Sequence, residues 1–242
     1  MNNYRKKPFI PAIQKTSTLV VLSIISILCF CITINFKIVE KSSSYNEKKI
    51  AANLMDEAMQ ILKESRMENG IFVDIENDPN ETGLVGSPFS LITTDEGDLD
   101  SKLTTLDPNF SAVIVDLMMQ LNLQSNDTVA ILMTGSMPGA NLAVLSACQA
   151  VGITPITISS LGASQWGANQ IDFTWLDMES ILIKKGLYFS KSIAASIGGR
   201  NDMGRLLSPS GRKIITDVIE SYNIPLIRNQ RLAENITARM NI

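Results

Sequence analysis

The feature that most constrains this chain is an uncharged run near its N-terminus, Leu19–Phe36 (LVVLSIISILCFCITINF). Extended back to Thr16, the run reaches roughly 31 Å as an α-helix, about the thickness of a bilayer core. A cleaved signal peptide has a shorter apolar core and small residues at its cleavage site, and the end of this run has no such pattern. The sequence therefore predicts an uncleaved transmembrane helix over residues 16–36.

The orientation of this helix follows less directly from the charges beside it. The positive-inside count is a tie, because the basic residues before the run equal those after it: Arg5, Lys6, Lys7 and Lys15 against Lys37, Lys41, Lys48 and Lys49. Two acidic residues, Glu40 and Glu47, dilute only the distal flank. A short basic tail also tends to stay inside. We therefore expect a single-pass protein of the cell membrane, with residues 1–15 cytoplasmic and the soluble part extracytoplasmic.

The charge changes sign along the chain. Residues 1–50 contain eight of the 21 basic and two of the 24 acidic residues, so the remainder carries 13 basic and 22 acidic residues, a net charge of −9. Such a domain repels polyanions unless its basic residues cluster locally. The lipid bilayer is therefore an expected partner and nucleic acid is not.

The chain contains no histidine. This excludes Ser-His-Asp and Cys-His catalysis and histidine-ligated zinc. Cys148 is the only cysteine outside the apolar run, so neither an intrachain disulfide nor a thiolate metal cage can form in the soluble part. We expect no metal and no cofactor, and whether the protein is an enzyme stays open.

Residues 37–80 form the predicted juxtamembrane part, a linker followed by an amphipathic helix. Ile50, Leu54 and Ala58, with Ile61 and Leu62, recur at helical spacing over residues 46–68. Packing of this stripe against the domain is the first interpretation, and an oligomer seam is the alternative. Residues 74–109, rich in Asp, Pro, Gly and Thr, predict long connections and one short strand at Phe89–Thr93.

Strands and helices alternate regularly beyond Asp107. Helical segments of about a dozen residues separate short apolar runs, which predict buried parallel strands at Thr128–Met133, Thr154–Ser159, Ser192–Ile197 and Ile224–Ile227. Strands joined by such helices imply right-handed crossovers. The predicted fold class for residues 81–242 is a three-layer, mostly parallel, Rossmann-like α/β domain.

Ligands in such folds bind beyond the carboxyl ends of the strands. Two loops there, 134–141 and 159–167, are rich in glycine and hydroxyl groups, and a third, 198–205, contains glycines and two arginines that can pair with a carboxylate or phosphate. Their amides and a helix N-terminus can hold an anion, and tight turns with a purely structural role are the alternative. The predicted ligand-binding residues are Thr134, Gly135, Ser136, Gly139, Asn141, Ser160, Ser164 and Arg205.

Two catalytic or metal-binding interpretations are weaker. Ser136 lies in Gly135-Ser136-Met137-Pro138-Gly139, which is not the G-x-S-x-G nucleophile elbow, and a Ser-Lys pair would need Lys191. The catalytic residues are therefore left unassigned. The acidic cluster Asp95, Glu96, Asp98 and Asp100 lacks the spacing of a calcium-binding loop and predicts a solvated turn.

Two segments carry a family resemblance. Ser87–Met118 (SPFSLITTDEGDLDSKLTTLDPNFSAVIVDLM) and Asn126–Asn169 (NDTVAILMTGSMPGANLAVLSACQAVGITPITISSLGASQWGAN) resemble the poly-gamma-glutamate system proteins, over roughly residues 87–242. Members of that bacterial family are membrane-anchored and accompany the poly-γ-glutamate synthase subunits. They continue with a glycine-rich segment, so the resemblance implies that this chain is C-terminally incomplete.

The resemblance implies a membrane-anchored accessory protein of poly-γ-glutamate (capsule) synthesis or export, with the synthase subunits and the polymer as partners. A second similarity, to phosphosugar-binding domains of the sugar-isomerase type, rests on the strand, Ser/Gly loop, helix and strand of Val129–Ile158. It implies a membrane-tethered phosphosugar-binding sensor or enzyme as the alternative, and a Ser-dependent hydrolase ranks third.

Overall fold

A computed structural model describes residues 15–36 and 40–242, and the chain divides after Ser43 into two units. In the first, helix α1 (Thr16–Asn35) is long and apolar enough to cross a membrane, and none of its residues is buried. A membrane anchor and a signal sequence both have this character. Three of the four basic residues before the helix, Arg5, Lys6 and Lys7, and Lys37 after it lie outside the described residues.

The second unit contains the other helices and all the described strands. In chain order they are α2 (Tyr45–Glu68), α3 (Leu99–Thr105), α4 (Asn109–Gln120), β1 (Thr128–Thr134), α5 (Pro138–Val151), β2 (Thr154–Gly162), β3 (Asn169–Gln170), β4 (Phe173–Thr174), α6 (Trp175–Lys184), β5 (Ser192–Gly198), α7 (Pro209–Ser221), β6 (Leu226–Ile227) and α8 (Leu232–Met240).

The predicted parallel α/β fold is confirmed. Four strands form a sheet in the order β1-β2-β5-β6, with every pairing parallel. In register, Thr128 of β1 lies opposite Thr154 of β2, and Gly162 of β2 lies opposite Gly198 of β5. Because parallel strands need crossover connections, helices flank the sheet and the strands end together at one edge. The two-residue strands β3 and β4 form a separate antiparallel pair.

The two faces of the sheet are covered unequally. Helices α2, α5, α6 and α7 bury their apolar residues against one face, where Met133, Leu161 and Ile197 belong to the core. On the opposite face, among the residues that the structure describes, the buried side chains of Ile158, Ala194 and Ile227 pack against Ala238 of α8. Leu132, on that face near the edge, is 68% exposed. The third layer of the predicted architecture is therefore the single helix α8.

Helix α2 is an integral part of the second unit. Its buried stripe, which includes Met55, Ala58 and Leu62, packs against α4 and α5, whereas Ile50 at the N-terminal end is half exposed. Arg66 in its last turn is buried and donates hydrogen bonds to the carbonyls of Gly83 and Val85 at 2.8 and 2.9 Å. These hydrogen bonds fix the C-terminal end of α2 to residues 83–85.

The structure departs from the sequence prediction between residues 74 and 109. A short helix, α3, forms where only connections were expected, and Asp98 caps it by accepting from the Ser101 amide at 2.7 Å. The strand predicted at Phe89–Thr93 is wrong: the segment makes a single bridge, between Thr93 and Ala163. The segment closes a turn instead: the Thr93 amide donates to the Ser90 carbonyl at 3.2 Å, and the Ser90 amide donates to Thr93 Oγ1 at 2.8 Å.

Candidate functional site

A crevice of about 460 Å³ lies at the carboxyl ends of β1, β2 and β5. Loop glycines form part of its wall. Gly198 has φ +77° and Gly199 +71°, a conformation that costs other residues energy, and both lie on the crevice surface. The position at the strand ends is the one expected for ligand binding in a parallel sheet.

Four of the predicted ligand-binding residues meet in this crevice. Thr134 and Ser136 come from the end of β1, and Ser160 and Ser164 from the end of β2. All four are partly buried. The Ser164 amide donates to Ser136 Oγ at 3.0 Å, which joins the two loops directly. The crevice therefore presents hydroxyl groups from two adjacent strands.

Three other predicted residues, Asn141, Gly135 and Gly139, do not line the crevice; they stabilise the loop between β1 and α5. The Asn141 side-chain amide donates to the Thr134 carbonyl at 2.8 Å. A Cβ on Gly135 would lie 2.6 Å from the Leu161 carbonyl oxygen, and one on Gly139 would lie 2.5 Å from that of Thr105. Gly139, in the first turn of α5, is thus packed against the end of α3 and does not line the crevice, and a role for it in ligand binding stays a prediction.

Arg205 is also outside the crevice. It is exposed and makes a backbone bridge to Arg200. Arg200 lines the crevice instead, together with Arg239 from α8 and two acidic residues, Asp95 and Asp202. The third loop therefore contributes an arginine to the crevice, but it is Arg200 and not Arg205.

Asp202 is the centre of a polar network that sequence reasoning missed. Its carboxylate accepts from Ser196 Oγ (2.7 Å), the Gly198 amide (3.2 Å) and the Asn235 side chain (2.9 Å). Arg239 completes the network with an ion pair of 2.7 Å, and the Asp202 and Arg239 side chains are only 10% and 13% exposed. This network ties α8 to the end of β5. The Asn-Asp pair in a glycine-rich loop was a usable signal, but the distant Arg239 gave none.

Lys102 of α3 was missed as well. It is buried, and its Nζ donates to the Ser136 carbonyl and to Ser164 Oγ, the latter at 2.7 Å. Among the ion pairs of the described residues, none involves Lys102. Burial lowers its pKa to about 8, partly offset by the charge of Asp98. A lysine in an otherwise unassigned connection gave no signal in the sequence.

Lys191 does not take part in the site. It lies just before β5, at the amino ends of the strands, whereas the serines lie at the carboxyl ends. Its neighbour in sequence, Ser192, donates from its amide and its hydroxyl to the buried carboxylate of Glu179, at 2.8 and 3.0 Å. Burial raises the pKa of Glu179 to about 7, although these hydrogen bonds oppose the shift.

Two residues of the acidic cluster have separate positions in the structure. Asp98 caps α3, and Asp95 lines the crevice. Within residues 15–36 and 40–242, no group of three or more His, Cys, Asp or Glu side chains is arranged to hold a metal ion.

Fold and crevice together define a parallel α/β domain with a hydroxyl-lined site at the carboxyl edge of its sheet. The chain matches no protein-family model, no curated protein and no solved structure.

Proposed function

We propose that the protein is a membrane-anchored accessory protein of poly-γ-glutamate synthesis or export, and that its crevice binds a carboxylate-bearing unit of the polymer. Two observations support the proposal. The first is the family resemblance, whose quoted segments include Thr134, Ser136, Ser160 and Ser164. The second, which carries the proposal, is the convergence of these four hydroxyls with Arg200 in one crevice.

The charges of the crevice suit a ligand that is anionic at one end and a hydrogen-bond donor at the other. Asp202 is neutralised by Arg239 at 2.7 Å, which leaves Arg200 and Asp95 as the remaining charged groups of the lining. A γ-glutamyl unit offers an α-carboxylate beside an amide N–H. Arg200 and the hydroxyls can donate to the carboxylate, since guanidinium groups pair with carboxylates in a fork geometry, and Asp95 can accept from the amide N–H.

Helix α1 supplies the membrane attachment in this proposal, with the crevice-bearing unit outside the cell. Its length of 20 residues and its lack of charge fit a single span. Protease treatment of intact protoplasts tests the orientation. Cleavage beyond residue 43 before lysis supports it, and protection until lysis contradicts it.

The phosphosugar alternative also rests on the serine loop. A phosphate could use Arg200 and the hydroxyls, and the sugar hydroxyls could donate to Asp95. The two ligands are distinguished by direct competition at the same site.

The binding test uses the full chain in detergent with a γ-linked glutamate pentamer, an α-linked pentamer and glucose 6-phosphate. A ligand at ten times its Kd stabilises the folded state by roughly 1.4 kcal/mol, about 3–6 °C in Tm for a domain of this size. We expect this shift for the γ-linked pentamer at millimolar concentration, and a smaller shift for the other two.

The matched variants are Arg200→Gln, in the crevice, and Arg228→Gln, an exposed arginine beyond α7. Arg200→Gln should remove most of the shift and Arg228→Gln should retain it. Equal shifts for both variants, or a larger shift with glucose 6-phosphate, would overturn the polymer assignment.

A further inference from the structure

The hydrogen bond between Lys102 and Ser164 is not explained by anion binding in the crevice. Lys102 does not line the crevice, whereas Ser164 does, so a bound ligand meets the serine hydroxyl and not the ammonium group. An anion site would gain most from a lysine that reaches the ligand. Here the amine lies behind the serine, with its Nζ 2.7 Å from Ser164 Oγ.

The surroundings of Lys102 favour a neutral amine. Neither of the loops packed against it, 134–141 and 159–167, contains a charged residue. Of the charged groups near its own helix, Asp98 in the preceding turn acts on the pKa of Lys102. Asp95 lies on the crevice wall, and Glu96, Asp100 and Asp107 are exposed. Since the pKa of Lys102 falls to about 8, about a tenth of the molecules hold a neutral amine at pH 7 and about half at pH 8.

From this geometry we propose that Lys102 and Ser164 form a Ser-Lys dyad that transfers the acyl group of an ester or amide whose carbonyl enters the crevice. The activity is independent of which anion the crevice binds. Ser164 is the nucleophile and Lys102 is its general base, the arrangement in which a serine is activated without histidine.

The bonding around the amine fits this role. A neutral Lys102 has two N–H groups and one lone pair. In the structure Nζ donates to the Ser136 carbonyl and to Ser164 Oγ. In the neutral amine of the proposal, one N–H keeps the bond to the Ser136 carbonyl, and the lone pair turns to Ser164 Oγ and accepts the hydroxyl proton over the same contact. The Ser164 amide donates to Ser136 Oγ, which holds the serine backbone in place.

The reaction balances with water as the second substrate. Ser164 Oγ forms a bond to the carbonyl carbon as its proton passes to Lys102, and the carbonyl π pair moves to oxygen. The pair returns as the bond to the leaving alcohol or amine breaks, and Lys102 gives that group its proton. Water, deprotonated by Lys102, then attacks the seryl ester, the carboxylic acid leaves, and the proton returns to Ser164.

The test is acylation of the full chain in detergent by p-nitrophenyl acetate, followed by mass analysis of chymotryptic peptides. We expect an acetyl group on Ser164, and a labelling rate that rises about tenfold from pH 7 to 9 as Lys102 loses its proton. The pH series uses the wild-type chain, so it does not depend on how well any variant folds.

Ser164→Ala should abolish the adduct at this position. Lys102→Met, which keeps an unbranched side chain one atom shorter and removes the amine, should slow labelling at least about 100-fold. Ser190→Ala and Lys191→Met are the matched controls at the opposite end of the sheet and should label at the wild-type rate. An acetyl group only at other residues, a flat pH profile, or unchanged labelling in a folded Lys102→Met variant would overturn the dyad.

Discussion

Removal of the Asp202 carboxylate tests the network that ties α8 to the sheet. Asp202→Ala deletes the acceptor of the bonds from Ser196, the Gly198 amide and Asn235, and leaves the guanidinium of Arg239 almost buried without an anion. Breaking a buried ion pair in this way costs about 3–5 kcal/mol, mostly because the remaining charge is uncompensated.

The structure also predicts where this loss appears. Helix α8 has a single partly buried apolar contact with the core, Ala238, and lies on the otherwise open face of the sheet. Its attachment is therefore mainly polar, and α8 should detach before the rest of the domain unfolds. Amide exchange in residues 232–240 should accelerate by at least about 100-fold, while exchange in β2 changes little.

A double-mutant cycle separates the pair from other effects. Arg239→Met alone should also destabilise α8, because it leaves Asp202 without its cation. The double variant should be less destabilised than the sum of the two, by at least about 1 kcal/mol. Additive losses, or α8 exchange in Asp202→Ala equal to that of the wild type, would refute the reasoning.

Three further perturbations test other parts of the account. Glu179→Gln should flatten the pH dependence of the free energy of unfolding, measured with urea at pH 4–8. Because burial favours the protonated carboxyl, wild-type Glu179 contributes stability on the order of 3 kcal/mol, fully present below pH 4.5 and lost as pH rises through 7. Leu62→Ala, which empties a fully buried position of α2, should cost about 2–5 kcal/mol by the same assay. Gly139→Val should cost more than about 1 kcal/mol, because its Cβ would meet the Thr105 carbonyl, and circular dichroism should show a lower Tm without added ligand.

The sheet could be predicted because its signals are local. The apolar run at β1, the αL glycine Gly152 after α5 and the cap at Ser208, which accepts from the Gly211 amide at 3.0 Å, lie beside the elements they define. The strand predicted at Thr154–Ser159 ends three residues before the observed end of β2, because Ser160 and Gly162 are residue types typical of loops. Pairing with β5 keeps them in the strand, which is a long-range effect.

The site could be predicted only in part, because local sequence signals place some of its residues and long-range packing places the others. Hydroxyls that follow the strands could be placed at one edge from the topology, and Thr134, Ser136, Ser160 and Ser164 do meet there. Lys102 and Arg239 reach the site from helices outside the strand-loop pattern, one before β1 and one after β6. No spacing in the chain relates them to the serines, because tertiary packing alone brings them close.

The most direct measurement is amide exchange of the full chain with and without saturating γ-linked glutamate pentamer. The account predicts protection confined to the strand ends and loops of the crevice, residues 134–136, 160–164 and 198–202, and loss of this protection in Arg200→Gln. Protection elsewhere in the unit that begins at Ser44, or none at a concentration that saturates binding, would contradict the assignment of this crevice as the ligand site.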